Sequence, residues 1–91
     1  MNVSELRLIE AESDAELELH CIGEYRSQPV WYRNGQQLDE DAQTFITVRV
    51  DSADNSNESV LTRMSDVDGQ YQCRDATGYQ ADSDVLDVIG D

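Results

Sequence analysis

Lysine is absent from this sequence of 91 residues, and its six basic side chains are all arginine. Twenty acidic side chains outnumber them, so the formal net charge is −14. Proteins that bind the phosphates of a nucleic acid or an anionic membrane surface cluster Lys and Arg on one face. The composition therefore excludes nucleic acids as partners and disfavours anionic membrane surfaces.

Long apolar runs and catalytic or metal-binding residue types are also scarce. No stretch approaches the ~18 apolar residues of a membrane span, so we do not expect this domain to insert into a membrane. His20 is the only histidine, and with two cysteines it cannot complete the four ligands of a structural zinc site. A catalytic triad would also need His20 as its base. His20 lies on a predicted strand, where we expect it to be exposed to solvent alongside Glu16 and Glu18. We therefore expect a protein that is not an enzyme and that holds neither a metal nor a cofactor.

What the sequence does contain is a regular alternation of apolar and polar residues. High net charge with few apolar residues is typical of disordered chains. Here, however, residues 16–21, 46–50 and 70–74 alternate with a period of two, which indicates half-buried β-strands. A chain of this length accommodates one domain with a single modest core, and we assign residues 1–91 to that domain.

Turn-forming residues separate the strand-like segments. Asn34-Gly35 is a strong hairpin signal, and residues 51–58 form a polar connector rich in turn formers. Many short strands separated by turns predict an all-β fold, an antiparallel sandwich or barrel. The strands are predicted near residues 4–10, 15–23, 29–33, 36–39, 44–50, 58–64, 69–76 and 80–89.

The two cysteines, Cys21 and Cys73, both lie on the apolar side of an alternating strand. A disulfide between them would close a loop of about 50 residues, worth roughly 4 kcal/mol in the chain-entropy model. The alternatives are two reduced thiols in the core or a pair of metal ligands. Alternation and spacing favour the disulfide, which would place the protein in an oxidising compartment.

Five residues form a pattern that resembles the immunoglobulin-like domain. They are Leu19 and Cys21, then Trp31, then Tyr71 and Cys73. The resemblance implies an antiparallel two-sheet β-sandwich in which Trp31 packs on one inter-sheet disulfide and Tyr71 occupies the tyrosine-corner position. The core is then expected to contain Trp31, Tyr71, Leu19 and Leu61.

Further segments carry the same resemblance across the whole chain. Residues 30–38 (VWYRNGQQL) are similar to the C strand and following turn of I-set and C2-type domains, and residues 85–88 to the final G strand. The family usually has an Asp, often paired with an Arg, where this chain has Val67. The predicted substitute is Asp66 paired with Arg49 or Arg63.

The alternation also predicts which side chains face outward on the C and F strands. Tyr and Arg are enriched at the energetic centres of protein interfaces, although isolated surface aromatics are common and need no explanation. The opposite sheet is expected to present Glu16, Glu18 and His20 as an acidic surface. The candidate interface consists of Val30, Tyr32, Gln70, Gln72, Arg74 and, at the turn that follows, Tyr79.

Two Asn-x-Ser sequons are candidate glycosylation sites. They begin at Asn2 and Asn57, and the second lies in the connector that we expect to be exposed.

The resemblance implies a non-catalytic module of a larger extracellular protein, used for recognition or adhesion at the cell surface. The negative charge favours a protein partner with a basic surface, and a homophilic dimer with a second copy of the domain is a further option. The alternative is an intracellular I-set module of a filament-associated, muscle-type protein. In that cytoplasmic, cytoskeletal setting the cysteines would stay reduced.

Overall fold

A computed structural model of the chain describes residues 4–90. These residues form two four-stranded sheets in which all neighbouring strands are antiparallel. The first sheet has the order β1-β2-β6-β5 and the second has the order β4-β3-β7-β8. The strands are β1 Arg7–Ala11, β2 Leu17–Gly23, β3 Pro29–Arg33, β4 Gln36–Gln37, β5 Thr44–Asp51, β6 Ser56–Arg63, β7 Gly69–Asp75 and β8 Leu86–Val88.

A disulfide between Cys21 on β2 and Cys73 on β7 joins the two sheets. The predicted all-β, two-sheet antiparallel sandwich with one inter-sheet disulfide is therefore confirmed. Trp31, Tyr71, Leu19 and Leu61 are buried around the disulfide. The indole N–H of Trp31 on β3 donates to the hydroxyl of Ser59 on β6 at 2.8 Å, so the largest core side chain has its one polar group satisfied by the opposite sheet.

The hairpin between β3 and β4 is formed at Asn34-Gly35, as predicted. Both residues have positive φ, 53° and 79°, which a two-residue turn with the twist of the flanking strands requires. The following strand is shorter than the predicted 36–39 and comprises Gln36 and Gln37 alone. The second sheet consequently ends early on this side.

The predicted strand over residues 80–89 is wrong for its first half. Ser83 leaves the strand path and bonds β7 instead, its N–H donating to the carbonyl of Cys73 and its hydroxyl accepting from the N–H of Cys73. The buried amide of Gln80 holds the same segment by bonds to Ser4, Glu24 and Ser27. At Cys73 a side-chain hydroxyl thus takes the place of a backbone acceptor, and only Leu86–Val88 pairs with β7 as a strand.

The loop before β7 carries the predicted tyrosine corner, in which the Tyr71 hydroxyl donates to the carbonyl of Val67 at 2.7 Å. The predicted pairing of the Asp66 carboxylate with Arg49 or Arg63 is wrong. Asp66 has a left-handed backbone, and its carboxylate lies 3.7 Å from Arg33 while its carbonyl accepts from Arg63 at 2.9 Å. The loop is thus held by arginines that bind carbonyl oxygens rather than by a buried Asp–Arg pair.

Candidate protein interface

The outer face of the second sheet is set by the register of β3 and β7. Trp31 lies opposite Cys73, and both point into the core. Residues directly opposite each other share a face and alternate along the strand. Tyr32 opposite Gln72, and Val30 opposite Arg74, therefore lie together on the outer face.

Arg74 and Tyr32 form a stacked pair on this face. The guanidinium carbon of Arg74 lies 4.1 Å from the centre of the Tyr32 ring, within the range of a cation–π contact. The amide oxygen of Gln72 accepts from Arg74 Nε at 3.0 Å, and its amide nitrogen donates to the carbonyl of Ser83 at 3.0 Å. We call Val30, Tyr32, Gln72 and Arg74 the Tyr32–Arg74 patch.

The Arg74 side chain is held at its Nε edge and open at its other end. Asp82 approaches Nε at 3.8 Å, beside the Gln72 amide. Within residues 4–90 the two terminal nitrogens of Arg74 have no hydrogen-bond partner. A planar guanidinium presented in this way offers two parallel donors, which match a carboxylate or a pair of carbonyl oxygens.

The structure gives the other two predicted interface residues different neighbours. Gln70 lies at the hairpin end of the sheet, where its backbone carbonyl accepts from Asn34 N–H and its backbone N–H donates to the Asn34 side-chain oxygen. Tyr79 contacts the β2–β3 loop, where Arg26 lies 6.0 Å from its ring and Glu24 lies 3.5 Å from its hydroxyl. Tyr79 therefore belongs to a loop cluster at one end of the sandwich, whereas the Tyr32–Arg74 patch lies on the sheet.

Asp75, at the end of β7, organises that loop cluster. Its carboxylate accepts from the N–H groups of Gln28, Thr77 and Gln80 at 2.8–2.9 Å and from the Thr77 hydroxyl at 2.7 Å. Burial alone would raise the pKa of Asp75, but these hydrogen bonds to the ionised form hold it well below its usual range. Asp75 is therefore a structural support for the loops at that end of the sandwich.

The outer face of the first sheet carries a half-buried histidine between two carboxylates. His20 Nε2 lies 2.6 Å from Glu18 and Nδ1 lies 3.2 Å from Glu58. The hydrogen bond to Glu18 raises the pKa of His20, with Glu58 adding to the effect. Ile9 and Val60 lie opposite His20 on the neighbouring strands, so this face is mixed rather than uniformly acidic.

Asn57, the better of the two candidate sequons, is not exposed. The connector is shorter than predicted, and β6 begins at Ser56, so that Asn57 takes an inward position at 6% exposure. Its amide nitrogen donates to the carbonyl of Ser27 at 2.5 Å. The expectation of an accessible glycosylation site is therefore wrong for the folded domain, and Asn2 lies outside the described residues.

Sequence reasoning also missed an apolar surface on β5. The alternation of Ile46, Val48 and Val50 predicts that all three are buried, but Val48 and Val50 are 61% and 52% exposed. These valines do point to the core side of the sheet, since they lie opposite the buried Ser59 and Asn57 on β6. The short second sheet, which ends at the two-residue β4, leaves them uncovered.

A scan against models of protein families, a search of curated proteins and a search of solved structures each found no match. No helix formed by residues 4–90 is long and apolar enough to cross a membrane.

Proposed function

We propose that the chain is an immunoglobulin-like domain of the I-set or C2 type that serves as a non-catalytic recognition or adhesion module. The sheet orders β1-β2-β6-β5 and β4-β3-β7-β8 support this assignment, since they match the A-B-E-D and C′-C-F-G sheets of such domains. The Trp31 packing, the inter-sheet disulfide and the Tyr71 corner support it independently.

The observation that carries the proposed function is the braced stack of Arg74 on Tyr32. Tyr and Arg dominate the energetics of many interfaces because they bury large areas and still donate hydrogen bonds. Gln72 fixes the guanidinium before a partner arrives, which reduces the side-chain entropy lost on binding. The protein partner therefore docks on the outer face of β3, β7 and β8, with the Tyr32–Arg74 patch at its centre.

Charge defines the partner further. The domain carries a net charge of −14, so it attracts a basic protein surface over distances of about one Debye length, ~8 Å at physiological salt. At the centre of the contact, the two terminal nitrogens of Arg74 are available to donate hydrogen bonds to an acceptor on the partner, such as a carboxylate. The proposed partner thus presents a basic surface around an acceptor group, and association slows as salt is added.

The disulfide supports an extracellular location. Disulfides persist in secreted and cell-surface proteins and are rare in the reducing cytoplasm. The bond between Cys21 and Cys73 lies in the core, where it is part of the folded structure. This favours the extracellular recognition module over the filament-associated alternative, whose thiols would be reduced.

The test is a binding screen of the tetramerised domain against purified cell-surface ectodomains. We expect the Tyr32→Ala/Arg74→Ala variant to lose at least about tenfold in affinity for any partner found, since both residue types are typical hot spots. Because the two side chains lie on the surface, the thermal midpoint is expected to stay within a few degrees of the wild type.

The matched control is Tyr25→Ala/Arg7→Ala, which removes one exposed Tyr and one exposed Arg elsewhere. We expect it to retain wild-type affinity. Equal affinity of the wild type and the Tyr32→Ala/Arg74→Ala variant would place the interface elsewhere and overturn the proposal.

A further inference from the structure

Strand β5 forms one edge of the first sheet, and it is eight residues long. Within residues 4–90 its only strand neighbour is β6, with which it pairs over its full length. The opposite side of an edge strand presents backbone N–H and C=O groups that can pair with a further strand. Natural proteins usually keep such edges short, charged or covered.

The first half of this edge is covered by the preceding loop. The N–H of Thr44 donates to the carbonyl of Asp41, and the N–H of Ile46 donates to the carboxylate of Glu40 at 3.2 Å. These bonds identify the even-numbered residues of β5 as those whose backbone groups point away from β6. By the same alternation Val48 and Val50 point their backbone groups outward, and no partner for them exists within residues 4–90.

The open half of the edge is also apolar. Val48 and Val50 are more than half exposed, and Ile46 next to them is half-buried against the core. Ile46 lines a shallow groove between the sheets together with Pro29 and Leu38. The open half of β5 therefore offers an added strand both unpaired backbone groups and exposed apolar side chains. We call Ile46, Val48 and Val50, with their outward backbone groups, the β5 edge.

Acidic residues flank the β5 edge on both sides and select its occupant. Residues 39–54 contain five carboxylates against the single Arg49. A second copy of the chain would bring the same acids and the same net charge of −14, so like charges oppose self-pairing. An extended segment with alternate apolar side chains and flanking Lys or Arg meets no such repulsion. The flanking acidic residues therefore favour a basic segment of another protein over a second copy of this chain.

We propose that the β5 edge is a second binding site, which takes an extended, basic-flanked apolar segment of another protein by β-strand addition. Main-chain hydrogen bonds to Val48 and Val50 continue the first sheet by one strand, and the alternate side chains of the segment cover the two valines. The site lies on the sheet opposite the Tyr32–Arg74 patch, so the two surfaces are tested separately.

The probe is a synthetic peptide with a Val-Thr-Val-Thr-Val centre and two lysines at each end. We expect it to shift the NMR signals of Val48 and Val50 and to protect their amide hydrogens from exchange. The control peptide has the same sequence with N-methylated amides at the positions that would bond the edge. It keeps the charge and loses the donors, so we expect it to bind at least about tenfold more weakly.

Two lysine variants locate the site on the protein. Val48→Lys places a charge in the apolar strip, and we expect it to weaken peptide binding about tenfold. Val85→Lys is the matched control, because Val85 is 56% exposed and directly precedes β8, which is in the other sheet, at the edge opposite to β4. It adds the same charge, and we expect a change of less than about twofold. The Tyr32→Ala/Arg74→Ala variant is expected to bind the peptide like the wild type, even if the proposed function fails.

Three results would overturn the inference. If both peptides bound equally, charge attraction alone would explain the binding, without main-chain hydrogen bonds to the β5 edge. Equal weakening by Val48→Lys and Val85→Lys would remove the site from β5. Protection of the Val48 and Val50 amides without peptide, in a chain that sediments as a dimer, would make a second copy the occupant.

Discussion

Buried polar side chains in this sandwich form specific hydrogen bonds between segments that are far apart in the sequence. Trp31 binds Ser59 across the sheets, and Gln80 binds Ser4, Glu24 and Ser27 at one end. A buried group that loses its partner costs free energy, so each bond favours one arrangement of the strands over its alternatives.

Removal of the Trp31 ring is expected to cost about 3–5 kcal/mol, because Trp31→Ala leaves a cavity beside the disulfide. Ser59→Ala, which leaves the indole N–H without its acceptor, is expected to cost about 1–3 kcal/mol. Urea unfolding followed by circular dichroism measures both values. A loss under about 1 kcal/mol for Trp31→Ala would contradict the proposed core.

Asp75 should make stability depend on pH in a defined direction. Its pKa is lower in the folded state than in the unfolded chain, so its contribution is present above about pH 4 and is lost as the pH falls below that value. We expect the free energy of unfolding of Asp75→Asn to fall less steeply with acidification than that of the wild type. Asp87→Asn, at an exposed position on β8, should follow the wild-type curve. If the free energy of unfolding changed with pH in parallel for the wild type and Asp75→Asn, the stabilising role of the ionised Asp75 carboxylate would be refuted.

At the scale of elements, the sequence predicts the strands whose two faces differ in polarity. On β2 and β7 apolar residues face the core and polar ones face solvent, so the period of two is visible. On β6 the inward residues include Asn57, Ser59 and Arg63, so its start within the connector was missed. The inward positions depend on partners such as Ser27 and Trp31, which only the fold brings close.

The exposed edge shows a second limit of sequence patterns. Alternation correctly gives the direction of Val48 and Val50, but their burial depends on how far the opposite sheet extends. Likewise, four residues of the candidate interface could be predicted from alternation along β3 and β7. The bracing of Arg74 by Gln72, and the separate location of Tyr79, depend on loop conformations that alternation does not encode.

Arg63 helps to hold the loop that precedes β7. It is 3% exposed, and its guanidinium donates to the Thr44 hydroxyl and to the Asp66 carbonyl. We expect Arg63→Lys to cost about 1–3 kcal/mol, because an ammonium cannot reproduce the planar fork that bonds both the buried Thr44 hydroxyl and the Asp66 carbonyl. Arg49→Lys, at an exposed position on β5, is expected to stay within about 0.5 kcal/mol of the wild type. Equal urea midpoints for both variants would contradict this role.

For the whole molecule, the net charge of −14 is a surface property of a folded sandwich. The buried core is apolar around the disulfide, while the acids occupy turns and outward positions such as Glu18 and Glu58. Composition alone is compatible with a disordered acidic chain, and the alternation is what separates the two cases. At both proposed surfaces we expect this charge to favour basic partners and to oppose the approach of a second copy of the domain.

An NMR footprint of the bound partner on the isotope-labelled domain tests directly whether the partner docks on the Tyr32–Arg74 patch. A partner from the ectodomain screen is added to saturation, and the shifts of backbone and side-chain signals are mapped. We predict that the largest changes fall on Val30, Tyr32, Gln72 and Arg74, with the Arg74 Nε–H signal among them. Changes confined to the first sheet, with the Tyr32–Arg74 patch unperturbed, would contradict it.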